Sequence, residues 1–157
     1  CYVCNATKRD RDTTDFRGMR GRGVRVGSRE ASCVLCGRLE EAEAENDWAV
    51  AVQDRYPVTP GHVLVIPRVH GAGLQDLSLD HVNGCMALVL HMQKRARAQG
   101  IRAFTVGVND GQEAGQTILH VHIHVIPRRK GDVPDPTGGV RGVIPGRANY
   151  LDLPGKS

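Results

Sequence analysis

The sequence has few aromatic residues and no long apolar run. Only 4% of its 157 residues are aromatic, and no apolar stretch approaches the roughly 18 residues that cross a bilayer. No stretch is typical of a signal peptide, although the chain starts at Cys1 and not at Met. We therefore expect a cytoplasmic protein without a membrane-spanning segment, and its length suits one domain with a core of its own.

Acidic residues are missing between Phe16 and Ser28, where arginine and glycine dominate. A segment of this composition buries too little apolar surface to order itself, so we predict a flexible basic extension over residues 1–30 and a folded domain over 31–157. Contact with nucleic acid is the alternative role, although no aromatic residues are interleaved with these arginines for stacking on bases. The net charge of +4 suits an anionic ligand, but the extension supplies much of the excess.

Three of the seven histidines, His120, His122 and His124, occupy alternate positions within five residues. Alternate side chains of a strand share one face and are spaced about 6.6 Å apart. We predict a strand that carries three imidazoles on one face and β-branched residues, packed on the core, on the other. Because imidazole titrates near neutral pH, this row suits a metal site or a nucleophilic histidine with helpers. A polar strand face with chance histidines is the alternative.

A glycine-rich segment, NDGQEAGQT at residues 109–117, leads directly into the histidine strand. Glycines such as Gly115 let the backbone approach a ligand closely. Backbone N–H groups, the Gln116 amide and the Thr117 hydroxyl are suited to hold phosphate oxygens, and Asn109 is expected to contact the substrate at the loop entrance. Most glycine-rich connections are simple turns, but the adjoining histidines make this one a predicted phosphate site.

The five cysteines are Cys1, Cys4, Cys33, Cys36 and Cys85, and the first four form two C-x-x-C pairs. This spacing favours thiolate metal ligation over a secreted disulfide scaffold. One arrangement is a four-cysteine zinc site, although the run between the pairs has little strand pattern. A redox pair is another, although it lacks the usual βαβ context. Cys85 lies in a helical pattern and is expected to be a small buried hydrophobic residue.

The rest of the chain alternates strand and helix patterns. The predicted strands are 48–52, 62–66, 104–108 and 119–127. Apolar residues at steps of three and four predict one long helix over 78–99, and the glutamate-rich run 39–46 predicts a short helix or a solvated connector. Links compatible with hairpins favour an α+β fold with an antiparallel sheet of about five strands.

Two blocks of sequence resemble one known family. The run NDGQEAGQTILHVHIHVIPRRKGD and the upstream run DRYPVTPGHVLVIP, residues 54–67, resemble the histidine triad (HIT) superfamily of nucleotide hydrolases and transferases. The first run is especially similar to the fragile-histidine-triad branch, which cleaves dinucleoside polyphosphates. The resemblance covers residues 33–150. It implies the HIT-like fold and a homodimer that pairs through the long helix and a sheet edge.

The resemblance also implies roles for single residues. His122 matches the nucleophile that attacks the α-phosphorus to give a nucleotidyl-histidine; its other ring nitrogen is expected to donate to an acceptor such as a backbone carbonyl. His124 is expected beside the phosphate, and transferase relatives carry Gln there, which favours hydrolysis. Asp54 matches a position that binds ribose hydroxyls, with a turn aspartate as the alternative. His62 matches a supporting histidine near the site, with a purely structural histidine as the alternative.

HIT proteins with an N-terminal C-x-x-C also resemble this chain, and they imply a closed structural zinc site. Its ligands here are Cys33, Cys36, His70 and His120. The fragile-histidine-triad branch generally lacks the C-x-x-C, so the chain mixes features of two branches. A nucleoside phosphoramidate is therefore the alternative to a dinucleoside polyphosphate as the substrate. Dinucleoside polyphosphates often bind together with Mg²⁺. The other hypotheses are a nucleotide-binding regulatory module and a non-nucleotide metalloenzyme that uses all three histidines.

Overall fold

The computed structural model describes residues 29–151. The flexible basic extension predicted over residues 1–30 lies outside this range except for its last two residues. Its contact with nucleic acid and a metal site with Cys1 and Cys4 stay predictions. The strands are β1 (Ala44–Glu45), β2 (Ala49–Gln53), β3 (Val63–Pro67), β4 (Ala103–Gly107) and β5 (Ile123–Arg128). A single α-helix, α1 (Leu79–Ala98), occurs within the described range. Helices in this part of the chain lack the combined length and apolarity of a membrane span.

The five strands form one antiparallel sheet in the order β1-β2-β3-β5-β4. The sheet and the long helix confirm the predicted α+β class. The short helix predicted over 39–46 is wrong, because this run turns and then pairs as β1, with Ala44 opposite Ala51 of β2. Ala44 packs against the core while Glu45 is exposed, which is strand alternation on a run that composition alone assigns to a helix.

Helix α1 has residues typical of helix ends at both of its termini. The hydroxyl of Ser78 accepts a hydrogen bond from the backbone N–H of His81, and Gly100 follows the helix at φ +91°. The buried face of the helix consists of Gly84, Cys85, Leu88, Val89 and Met92. This face packs on one side of the sheet, and Cys85 is buried there as predicted.

The other side of the sheet is covered by the segment that precedes β1. Leu35 and Leu39 pack on Val50, Val52, Leu64 and Ile66, so strands β2 and β3 are buried on both faces. In β5, Ile123 and Val125 face the helix, while His124 lies opposite Leu64 and shares the face that this segment covers. The fold therefore brings the histidine-bearing face of β5 against the region of Cys33 and Cys36.

Strand β5 starts four residues later than predicted, at Ile123 instead of Leu119. Its pairing with β3 ends where Val65 lies opposite Ile123. Continuing the ladder would bring in Pro67, which has no N–H to donate. The backbone from Ile118 to His122 therefore lies beyond the sheet and is held by other contacts.

Candidate active site and metal centre

The histidine row divides between two clusters of side chains. The thiol–imidazole cluster consists of Cys33, Cys36, His70 and His120, and the carboxylate–imidazole cluster consists of Asp54, His62 and His124. In each cluster, one potential ligand atom from every residue lies within 4.8 Å of the others. The sequence had assigned all seven residues to a site, and the fold brings them together in these two groups.

In the thiol–imidazole cluster, sulfur and nitrogen atoms converge. Nδ1 of His120 lies 3.5 Å from Sγ of Cys33 and 3.5 Å from Sγ of Cys36. Nδ1 of His70 lies 3.5 Å from Sγ of Cys36. Zinc bonds of about 2.3 Å to sulfur and 2.0–2.1 Å to nitrogen at tetrahedral angles put neighbouring sulfur and nitrogen atoms about 3.5 Å apart. These three sulfur–nitrogen distances are those of a tetrahedral zinc site, and the four side chains therefore fit a zinc ion.

Both imidazoles of this cluster are oriented by a second partner on the outside. Nε2 of His120 donates to the carbonyl oxygen of Pro67 at 3.1 Å, and Nε2 of His70 donates to the carboxylate of Glu30 at 3.0 Å. With the proton on Nε2, each ring directs the lone pair of Nδ1 inward. This arrangement is common around metal-binding histidines. Glu30 was not predicted as a site residue, because residue 30 falls within the predicted extension.

Burial favours the uncharged forms in the thiol–imidazole cluster. It raises the pKa of the Cys36 thiol and lowers the pKa of the His120 imidazole. Neutral imidazole is the form that binds metal, whereas the thiol must lose its proton, which a bound cation favours.

In the carboxylate–imidazole cluster the two imidazoles bond to each other. Nε2 of His62 lies 3.0 Å from Nδ1 of His124, and a carboxylate oxygen of Asp54 lies 3.6 Å from the first nitrogen and 3.9 Å from the second. The backbone N–H of Val58 donates to Nδ1 of His62 at 3.4 Å. His62 therefore carries its proton on Nε2 and donates to His124, which leaves the proton of His124 on its own Nε2. Burial lowers the pKa of both rings.

His122 lies in sequence between His120 of one cluster and His124 of the other, and it has a fixed tautomer of its own. Its Nδ1 donates to the carbonyl oxygen of His120 at 2.8 Å, as the sequence analysis expected of a nucleophilic histidine. The side chain is 8% exposed, and its ring centroid is 5.1 Å from that of His124. The unprotonated Nε2 is consequently the atom available for attack on an electrophile.

The glycine-rich loop is braced by the residue that was expected to hold phosphate. The side chain of buried Gln116 accepts from the N–H of Gly111 at 2.9 Å and donates to the carbonyl oxygen of Ala72 at 2.7 Å. This amide thus holds the loop in shape. Gly115, at φ +85°, and Thr117 are exposed, and Asn109 is half-buried after β4; their contacts with a substrate stay predictions.

An antiparallel sheet with one long helix, and three alternating histidines before and within β5, define a histidine triad protein. The chain belongs to the HIT family, since the sequence model of the HIT domain matches residues 41–131. It is also similar to the crystal structure of a zinc-bound histidine triad family protein from Mycobacterium smegmatis. That likeness has a TM-score of 0.60 and 33% identity, and covers 66% of this chain and 84% of the other.

Three of the relatives with a named activity are hydrolases with different substrates. A bis(5′-nucleosyl)-tetraphosphatase of Schizosaccharomyces pombe is 40% identical over 48% of this chain and 42% of its own length. The adenylylsulfatase HINT3 of Arabidopsis thaliana is 32% identical over 69% and 58%. An adenosine 5′-monophosphoramidase of Saccharomyces cerevisiae is 31% identical over 64% and 65%. The family thus includes enzymes that act on different nucleotide derivatives.

Proposed function

We propose that this chain hydrolyses a nucleotide at its α-phosphorus through a covalent intermediate on His122. The observation that carries the proposal is the 2.8 Å hydrogen bond from Nδ1 of His122 to the carbonyl of His120. Nε2 of His122 attacks the phosphorus, and the bond from phosphorus to the leaving group breaks. Water then cleaves the phosphorus–nitrogen bond, releases the nucleoside monophosphate and restores the neutral imidazole.

Dinucleoside polyphosphates are the substrate class that we favour. Burial keeps the pKa of His124 below its ordinary value, so this ring is neutral at neutral pH and offers an N–H donor but no readily released proton. A nucleoside polyphosphate leaves as an anion without needing a proton, with Mg²⁺ able to offset its charge. Asp54, whose side chain is 13% exposed, binds the ribose hydroxyls. The Gly115 backbone, Gln116 and Thr117 hold the phosphates, and Asn109 contacts the substrate at the loop entrance.

A nucleoside phosphoramidate is the second candidate substrate. The similarity to the S. cerevisiae adenosine 5′-monophosphoramidase supports it. Its leaving amine requires a proton, which Nε2 of His124 would have to donate and water would have to replace.

The thiol–imidazole cluster is proposed to hold a structural zinc ion. Two thiolates and two imidazoles fill a tetrahedral shell and leave no open position for substrate. The zinc-bound relative from M. smegmatis supports this assignment. We also propose a homodimer, because Leu79, Met86 and Leu90 form an exposed apolar stripe on one face of α1.

The test compares wild type, His122→Ala and His91→Ala with diadenosine triphosphate and with adenosine 5′-phosphoramidate. His91 lies on α1 outside both clusters and controls for loss of an imidazole. We expect turnover by wild type and His91→Ala only, and quenching with denaturant at alkaline pH, where a phosphorus–nitrogen bond survives, should trap the nucleotide on residue 122. An adduct on another residue would contradict the mechanism. A wild type that binds AMP but turns over neither compound would support the regulatory-module hypothesis instead.

A further inference from the structure

The backbone stretch that supports the His122 ring lies outside the sheet. The hydrogen-bond acceptor of the His122 ring is the carbonyl of His120, which lies ahead of β5. Two backbone hydrogen bonds hold this stretch. The N–H of His120 donates to the carbonyl oxygen of Ile118 at 2.8 Å, and the N–H of Val121 donates to that of Gly71 at 2.8 Å. All of these partners lie outside the strands, so some other contact has to fix the carbonyl.

The side chain of His120 is that contact. It is 0% exposed, and both of its ring nitrogens are engaged. Nε2 binds the carbonyl of Pro67 at the end of β3, and Nδ1 lies among the two thiols at 3.5 Å. The ring thereby connects the stretch before β5 both to the sheet and to the segment that carries Cys33 and Cys36.

We propose that the thiol–imidazole cluster, when it holds a metal ion, positions the nucleophile. Cys33, Cys36 and His70 act through His120 as positioning residues for His122, although none of them contacts the substrate. A sulfur–nitrogen contact at 3.5 Å is weak and tolerates movement. A metal bond of about 2 Å to Nδ1 is directional and fixes the ring, and with it the carbonyl that holds the tautomer of His122.

The inference extends the proposed function, since it rests on His122 being the nucleophile. It differs from a purely structural role for zinc in one respect. A structural ion would raise the melting temperature and leave the His122 ring and its reaction rate alone. A positioning ion would change the tautomer of the His122 ring and its reaction rate. A shift of the order of 1 Å in a reacting group costs about 10²-fold in rate.

The experiment uses the full chain labelled with ¹⁵N-histidine, loaded with Zn²⁺ or stripped by a chelator at one pH and below its melting temperature. With Zn²⁺, the NMR spectrum should show His122 as a single tautomer protonated on Nδ1. Without Zn²⁺, we expect a mixture of tautomers, and single-turnover formation of the His122 adduct should slow by about 10–100-fold, with AMP binding nearly unchanged. Equal spectra and equal rates would overturn the proposal.

A metal substitution keeps the test decisive if the stripped chain does not fold. Cd²⁺ suits the same four ligands but forms longer bonds, so it should shift the ring of His120 while preserving the fold. We expect the Cd²⁺ form to react more slowly than the Zn²⁺ form and to differ in its His122 ring shifts. Identical rates and shifts would assign the ion a structural role only. If the Zn²⁺ form makes no adduct at all, the proposed function fails, while the NMR comparison still tests the positioning.

Discussion

The two clusters contain similar side chains but direct their imidazoles in opposite ways. In the thiol–imidazole cluster, each ring bonds outward through Nε2, to Glu30 or to the carbonyl of Pro67, and turns Nδ1 inward. In the carboxylate–imidazole cluster, His62 and His124 bond to each other at 3.0 Å. The outer partners of the rings therefore decide whether a cluster suits the binding of a cation or the sharing of a proton.

Convergence of ligand atoms alone does not distinguish the clusters, since both sets lie within 4.8 Å. The backbone N–H of Val58 makes the difference, because it requires a lone pair on Nδ1 of His62 and so keeps a proton on Nε2. A metal ion on Nε2 would displace that proton to Nδ1, where it would face the N–H of Val58. A cation in this cluster would therefore break a hydrogen bond and replace it with a repulsion.

Among the changes that test the contrast between the two clusters, the largest effect is expected from His124→Ala, which removes the neutral ring beside the proposed nucleophile. Turnover of diadenosine triphosphate should fall by about 10²–10³-fold, the usual cost of removing one hydrogen-bond donor that stabilises charge in the transition state. Bound zinc, measured by elemental analysis, should stay at the wild-type level. The His91→Ala variant is the control for both measurements. Loss of zinc from His124→Ala would remove the distinction between the two clusters.

The next effect is expected from Cys36→Ala, which should release the metal. A ligand that binds only the folded state at about 1,000 times its Kd stabilises it by about 4 kcal/mol, so the free energy of unfolding in urea should fall by about that amount. The control is Cys85→Ala, which removes a thiol buried between α1 and the sheet. Burial raises the pKa of this thiol to about 12. This control should keep its zinc. A Cys36→Ala variant that retains stoichiometric zinc would contradict the ligand assignment.

The elements were predictable from the sequence because they depend on local patterns. Local residue patterns predict β2, β3 and β4, and apolar residues at steps of three and four predict the helix. The helix predicted for the run 39–46 is wrong. Its glutamates and alanines suit a helix, but pairing with β2 makes part of the run a strand. Tertiary pairing of this kind has no local signal.

The site residues were predictable by type, but their partners were not. Resemblance to known proteins identified the members of both clusters, whereas the backbone atoms that set their tautomers, on Val58, Pro67 and His120, belong to residues of ordinary type. Gln116 is the instructive case. Its amide also spans the loop between Gly111 and Ala72, and its contact with phosphate stays a prediction. A side-chain amide offers the same donors to a ligand or to the backbone, and only the fold decides between them.

A smaller effect is expected from Glu30→Gln. An amide cannot hold the proton of Nε2 of His70 as strongly as a carboxylate does, and loss of such an outer partner weakens metal binding by about 10–100-fold. Competition with a chromogenic zinc chelator measures this affinity. Glu40→Gln is the matched control, because Glu40 pairs at the surface with Arg29, and exposed ion pairs contribute little. Equal zinc affinities in the two variants would show that the outer carboxylate has no influence on the site.

The smallest effect concerns the dependence of stability on pH. Burial lowers the pKa of His62 and His124 in the folded chain, while the unfolded chain has ordinary histidines near 6.5. Below about pH 6.5 the unfolded state therefore binds more protons, so stability is complete above this pH and is lost as the pH falls toward the lower pKa of the folded state. Acid also protonates the ligands of the thiol–imidazole cluster and so competes with zinc in every variant. Urea unfolding of wild type is therefore compared with that of His62→Gln, which keeps these metal ligands. The variant should lose less stability on acidification, because one buried imidazole is gone. Parallel curves for the two proteins would mean that this cluster does not hold its rings neutral, and the contrast with the metal cluster would then rest on geometry alone.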